Sequence, residues 1–154
     1  MATERDETEA ERLDRNWTEL LQELRVTQTG TQILTGFLLT IPFQQRFGQL
    51  EPGQLAVYLV MVVMAALATI LAIAPVALHR SLFRQGAKDR IVRVSNRLLI
   101  ASLACVALTL TGTTLLVFDV VAGHTAGVIA GISTLLVTGV AWLALPAVQR
   151  RGER

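Results

Sequence analysis

Four long stretches of the chain are dominated by apolar residues, and they cover about 26–47, 54–78, 98–119 and 125–145. A helix of about 20 apolar residues suffices to cross the roughly 30 Å hydrocarbon core of a bilayer. Short connectors that contain glycine follow the first and third stretches, which favours antiparallel neighbours. The pattern predicts an all-α polytopic membrane protein with four transmembrane helices in an up-down bundle.

A different periodicity precedes these stretches. Leu13, Trp17, Leu20, Leu21 and Leu24 recur at spacings of three and four residues, which is typical of an amphipathic helix. We predict that residues 1–25 form a polar tail and an interfacial helix that lies on the membrane, with Trp17 as its anchor. This helix can run directly into the first span. Residues 26–146 are then the transmembrane domain, and 147–154 a basic tail.

The first span is unusual because polar residues are spread along it. They are Thr27, Gln28, Thr29, Thr31, Gln32, Thr35 and Thr40. At about 100° per residue, most of them fall on one side, and Phe37 falls on the other. A lipid-facing amide without a partner costs several kcal/mol. We therefore expect the Gln28 and Gln32 side to face protein or water and the Phe37 side to face lipid.

The charges are segregated in a way that predicts orientation. Loop 79–97 carries six Lys and Arg residues, whereas 48–54 and 120–125 carry none. Basic residues remain on the cytoplasmic side, so both termini and the middle loop are expected in the cytoplasm of a bacterium with this protein in its inner (plasma) membrane. This parity requires an even number of spans. Loop 79–97 either binds anionic lipids, at about 1 kcal/mol per cation, or acts only as the topology signal.

The composition argues against several other classes of protein. The net charge of +2 does not suggest a nucleic-acid partner. Cys105 is the single cysteine, so no internal disulfide forms, and no cluster has the ligand spacing of a metal site. Phosphate loops, nucleophile elbows and dinucleotide fingerprints are absent from the sequence. We expect no enzyme activity, no catalytic residues and no cofactor.

Four polar residues of the first span are the first candidates for function: Gln28, Thr31, Gln32 and Thr35. Their hydroxyl and amide groups could line a polar path for an ion. The alternative is helix–helix contact, in which interhelical hydrogen bonds average about 0.6 kcal/mol each. No carboxylate lies in the middle of this span, although proton-coupled transport usually uses one.

Three ionisable residues are candidate proton or ion groups: Glu23, Asp119 and His124. Glu23 lies where the surface helix meets the first span, either as an entry group or in an interfacial salt-bridge cluster. Asp119 and His124 flank the turn before the last span, and histidine titrates near neutral pH. They are either a proton-handling pair or only turn residues.

Small residues mark the last span. Gly123, Gly127 and Gly131 recur at intervals of four, and small residues let helix backbones approach closely in membranes. We expect this edge to pack against the third span rather than against a second subunit.

Several short segments together resemble a known family. They are LLQELRV at 20–26, QTG at 28–30, QIL at 32–34, FLLTIPF at 37–43 and FDVV at 118–121, with the basic middle loop. The chain resembles small actinobacterial membrane proteins of unknown function, some of which carry an automatic label of sodium:proton antiporter. The resemblance implies four spans and no established activity, and therefore supplies no catalytic residues.

Two functions follow as expectations. The first is a non-enzymatic membrane protein that acts through helix association, as a homo-oligomer or as an accessory subunit of a membrane complex. The alternative is a small ion transporter, such as a sodium:proton antiporter, that uses the polar face of the first span between Glu23 and Asp119.

Overall fold

The computed structural model describes residues 8–82 and 88–144. Four α-helices occupy most of this part: α1 (Glu9–Thr40), α2 (Pro52–Leu82), α3 (Lys88–Ala122) and α4 (His124–Gly139). Short 3₁₀ turns at Ile41–Phe43 and Phe47–Gln49 connect α1 to α2, and a π-helical turn at Val140–Ala144 follows α4. The described residues include no strand, which agrees with the predicted all-α class.

Helix α1 is continuous through the expected boundary between surface helix and first span. It begins with a capping box, in which the Glu11 carboxylate accepts from the Thr8 backbone N–H at 2.8 Å. It ends one residue before Ile41, where Pro42 lies in the first turn of the next element and has no N–H to donate. No helix end separates 9–25 from 26–40, so the placement of 9–25 on the membrane surface stays a prediction.

Neighbouring helices run antiparallel. Along α1 and α2, Gln28 contacts Ala72 and Leu38 contacts Tyr58, so rising numbers in one helix meet falling numbers in the other. Ser102 of α3 donates to the Ala68 carbonyl oxygen at 2.8 Å, and Gln54 near the start of α2 contacts Asp119 near the end of α3. The up-down order of the helices follows from these contacts.

The predicted up-down arrangement is open on one side in the described part of the chain. Helix α1 packs against both α2 and α3, whereas α4 contacts α3 alone among the described helices. The physical reason lies in the side chains of α4, whose small residues Gly127 and Gly131 form a single edge that meets α3. No contact joins α4 to α1 within the described residues.

Three helical segments are long and apolar enough to cross a membrane: Pro52–Leu78, Ile91–Ala122 and His124–Ala144. They correspond to the predicted spans at 54–78, 98–119 and 125–145. The polar residues of α1 keep it below that criterion, so the fourth span at 26–47 stays a prediction.

Candidate functional site

A polar cluster of three side chains, Gln54, Asp119 and His124, lies where α2 begins and the α3–α4 turn forms. The Asp119 side chain is only 10% exposed. Its Oδ2 atom accepts a hydrogen bond from Gln54 Nε2 at 3.3 Å, and its Oδ1 atom lies 3.4 Å from His124 Nδ1. The imidazole itself is 83% exposed, so the pair joins a sheltered carboxylate to a ring at the surface.

Two glycines shape this cluster. Gly123 has φ +93°, a left-handed conformation that strains any residue with a side chain, and it allows the tight reversal between Asp119 and His124. A Cβ atom at Gly127 would lie 2.7 Å from Asp119 Cβ and 2.8 Å from the Leu115 carbonyl oxygen. The backbones of α3 and α4 therefore approach each other closely beside the carboxylate.

Gln54 holds the carboxylate from the side of α2. Its Oε1 atom accepts from the Glu51 backbone N–H at 3.0 Å, which leaves the amide NH₂ group directed to Asp119. This amide was not among the candidates from the sequence. Antiparallel packing of the second and third spans brings the start of one near the end of the other, so the sequence indicated the neighbourhood of Gln54 but not its contact with Asp119.

The cluster thus joins a sheltered carboxylate, which accepts hydrogen bonds, to a side-chain amide of α2 and to an exposed imidazole. Within residues 8–82 and 88–144, no group of three His, Cys, Asp or Glu side chains stands close enough to hold a metal ion. Glu23 does not join the cluster. It is exposed on α1 one residue before Leu24, which packs with Leu99 near the opposite end of α3.

The four polar candidates of the first span take three different positions. Thr31 is buried and its hydroxyl donates to the Thr27 carbonyl oxygen at 2.7 Å. Gln28 is half-buried, and its amide lies 3.4 Å from the Ala72 carbonyl oxygen of α2. Thr35 has a buried hydroxyl without a hydrogen-bond partner in the structure. Gln32 is exposed.

The buried side of α1 is thus rotated from the expected one. Its buried residues are Leu20, Leu24, Thr31 and Leu38, and their mean direction lies about 60° from Gln28 at about 100° per residue. Leu38 lies about 80° from Gln28, on the same side of the helix as Thr31, and is buried. Gln32, which was expected to face protein or water, is exposed, and Phe37 is 70% exposed on the side that was expected to face lipid.

The rotation has a simple cause. A threonine hydroxyl can bond to a carbonyl oxygen of its own helix, as Thr31 does, and can then be buried without help from a neighbour. A glutamine amide needs a partner outside its own turn, which Gln28 finds at the edge of the contact with α2. Leucines therefore fill the centre of the contact and the amides lie at its margin.

An apolar groove of about 520 Å³ opens between α3 and α4. The residues that help to line it include Leu103, Leu135, Thr138 and Trp142. It forms because the two helices touch at Gly127 and Gly131 and diverge toward the far end of α4.

Some predicted features lie outside the described residues. These are the polar tail at 1–7, the part of the basic loop at 83–87 and the chain from 145 onward, which includes the basic tail at 147–154.

Comparison with known protein families gives one result. Residues 6–146 match a family of unknown function, DUF6328. The chain belongs to this family. The match covers all four helices and the candidate cluster at Asp119, and it agrees with the resemblance to a family without an established activity. No curated protein and no solved structure matches the chain.

Proposed function

We propose that this DUF6328 protein is a non-enzymatic integral membrane protein that acts by associating with other membrane helices, as a homo-oligomer or as an accessory subunit of a larger complex. The observation that carries this proposal is the exposed, partly polar face of α1 beside two apolar helices. Gln32 is exposed on it without a bond inside its own helix, whereas the exposed Thr29 hydroxyl donates to the Arg25 carbonyl oxygen, and α1 packs along α2 and α3. Such a face gains free energy when another helix covers it, because lipid offers no hydrogen bonds.

The test is purification from native membranes in a mild detergent, followed by native mass spectrometry. We expect either a multiple of the 16.7 kDa chain mass or a stoichiometric complex with a different chain. A lone 16.7 kDa monomer under these conditions would contradict the proposal.

We further propose four spans, with α1 as the first, and a bacterial inner membrane with both termini in the cytoplasm. Support comes from the cluster of Leu24 with Leu99, which brings the exposed Arg25 and Arg97 to the same end of the molecule. Basic residues at one end favour that end in the cytoplasm. The exposed Arg80 and Arg97 would then meet anionic headgroups at about 1 kcal/mol each.

Orientation can be tested with two exposed positions at opposite ends. In a Cys105→Ser background, a membrane-impermeant thiol reagent should label Gln49→Cys in intact cells and Asn96→Cys only after lysis. Labelling of Asn96→Cys in intact cells would reverse the orientation.

The second candidate is a small ion transporter, and the sheltered carboxylate of Asp119 favours it. Buried hydroxyls without partners at Thr35 and Thr111 add polar groups between the helices. The likeness of the first span to proteins with a sodium:proton antiporter label is consistent with this alternative. Protein in liposomes with a pH gradient should then move Na⁺ or H⁺, with loss of flux in Asp119→Asn and Glu23→Gln. Flux no higher than in empty liposomes would contradict it.

A further inference from the structure

We propose that two copies of this chain pair side by side in the membrane through the exposed polar edge of α1. The edge runs through Thr29, Gln32 and Gly36, and Gln32 of each copy bonds to Gln32 of the partner subunit. The inference rests on the proposed function, since it names the partner and the surface of the association.

The depth of Gln32 is fixed by its neighbours on the same helix. Gln28 Nε2 lies 3.4 Å from the Ala72 carbonyl oxygen, and Tyr58 Oη donates to the Leu38 carbonyl oxygen at 2.9 Å. Both contacts fall inside Pro52–Leu78, which is long and apolar enough to span a membrane. Gln32, between these contacts, is therefore level with the middle of that segment.

At that depth the amide of Gln32 needs a partner. Its side chain is exposed, and no described residue hydrogen-bonds to it. A primary amide left in hydrocarbon without a hydrogen bond costs several kcal/mol. The exposed faces of α2 and α4 include apolar residues such as Ile70 and Leu136, which are 62% and 63% exposed. The exposed Ser133 of α4 carries a hydroxyl, which can bond to its own helix, rather than an amide.

The spacing along the edge fits a second parallel helix. The exposed residues at alternating steps of three and four are Gln22, Arg25, Thr29, Gln32, Gly36 and Leu39. An average step of 3.5 residues is the repeat by which two helices in parallel keep one seam in contact. A Cβ atom at Gly36 would have no neighbour within 4 Å, so a second backbone can approach there without displacing anything.

The chemistry of the edge favours a second copy over a different protein. An amide carries both a donor NH₂ and an acceptor oxygen, so two glutamines at the same height across a two-fold axis satisfy each other. Arg25 marks the cytoplasmic end of the contact between the two α1 helices. Two guanidinium groups facing each other repel, and they are tolerated only where headgroups or water reach them, at the end where Arg97 is also exposed.

Cysteine cross-linking in native membranes tests the surface. In a Cys105→Ser background, oxidation should join two chains carrying Gly36→Cys into a covalent dimer. The matched controls are Ile70→Cys on α2 and Leu136→Cys on α4, which are exposed to a similar extent and should remain uncross-linked.

The outcomes separate this inference from the proposed function. Dimers through Ile70→Cys or Leu136→Cys but not through Gly36→Cys would overturn the inference and leave association intact. A stoichiometric complex with a different chain and no dimer would do the same. A lone monomer with no cross-link at any position would overturn both.

A second measurement tests the amide itself. Gln32→Leu should weaken the dimer about tenfold in lipid, because the two reciprocal hydrogen bonds of the pair are lost. Gln32→Asn keeps an amide at the seam and should weaken it less. Circular dichroism should show the same helix content for all three proteins, since the side chain is exposed in the single chain. An unchanged or tighter dimer in Gln32→Leu would overturn the inference.

Discussion

Helices α1 and α4 are the two outer helices of this structure. They differ in how many of the two central helices, α2 and α3, each of them contacts. Helix α1 carries glutamines and threonines, yet it packs against both α2 and α3. Helix α4 is more apolar than α1 and belongs to a segment apolar enough to cross a membrane, yet it contacts only α3 among the described helices. Apolar character alone therefore does not decide which helix is buried here. In lipid, an apolar face gains little by packing against another apolar face.

What differs is the kind of contact each helix can make. Side chains of α1 and α2 reach backbone oxygens across their interface, as Tyr58 Oη does at the Leu38 carbonyl. The contact of α4 is one of close backbone approach at Gly127 and Gly131. The attachment of α4 should therefore be sensitive to added volume, and that of α1 to lost hydrogen bonds.

The largest effect is expected from Gly127→Ala. Its Cβ atom would lie 2.8 Å from the Leu115 carbonyl oxygen and 2.9 Å from Asp119 Cα, and backbone atoms cannot rotate away. After allowing for the better helix propensity of alanine, we expect a loss of about 2 kcal/mol in the free energy of unfolding. The measurement is thermal unfolding of the purified protein in detergent.

Two other glycines serve as matched controls. Gly139→Ala lies in the same helix with no atom within 4 Å of the new Cβ, and it should be neutral or slightly stabilising. Gly112→Ala would meet Met61 Cγ at 2.7 Å, but a flexible methionine can move, so the loss should be smaller than at Gly127. Equal losses at Gly127 and Gly139 would show that close approach does not hold α4.

Tyr58→Phe should have the next largest effect, and it acts on α1. The change removes the 2.9 Å hydrogen bond to the Leu38 carbonyl oxygen but keeps the edge-on ring contact with Phe47, whose centroid lies 5.2 Å away. We expect a loss of about 1 kcal/mol in the free energy of unfolding, measured by the same thermal assay.

The control for this prediction is Phe47→Leu, which removes the ring contact and keeps the hydroxyl. If Tyr58→Phe left the unfolding temperature unchanged, the hydrogen bond would not be part of what holds α1 to α2.

These contacts also show how far the sequence alone could reach. Hydropathy predicted the three segments of membrane length, because a stretch of about twenty mostly apolar residues is typical of a transmembrane helix. Polarity alone centred the protein-facing or water-facing side of α1 on Gln28, about 60° from the mean direction of the residues that are buried. It did not distinguish Thr31, which bonds within its own helix, from Gln28, which bonds across to α2.

The candidate site was predictable only in part for a related reason. Asp119 and His124 are five residues apart, on either side of a turn between spans. Their contact can therefore be predicted without knowing how the helices pack. Gln54 lies 65 residues from Asp119 along the chain, so its contribution depends on the register of α2 against α3. That register comes from the fit of Met61 against Gly112 and of Ser102 against Ala68, which no pattern of polar and apolar residues encodes.

The smallest effect is expected at the start of α1, where the comparison with α4 can be sharpened. Thr8 and Glu11 form a capping box, whereas α4 begins after Gly123 with no side-chain cap. The Glu11 carboxylate accepts hydrogen bonds from the Thr8 hydroxyl, which has the larger effect, and from the Thr8 backbone N–H. These bonds lower the pKa of Glu11 below its ordinary value of 4.5. Because the pKa of Glu11 is lower in the folded state than in the unfolded state, the cap stabilises the folded state above the ordinary pKa. This stabilisation is lost as the pH falls through the lowered pKa. The protection factors of the Glu11 and Arg12 amides, which compare each exchange rate with that of an unfolded chain at the same pH, should therefore fall in acid. Thr8→Ala should lower the same protection factors at neutral pH and leave those of the α4 amides unchanged. A high protection factor at Arg12 in both conditions would mean that packing, not the cap, fixes the first turn of α1.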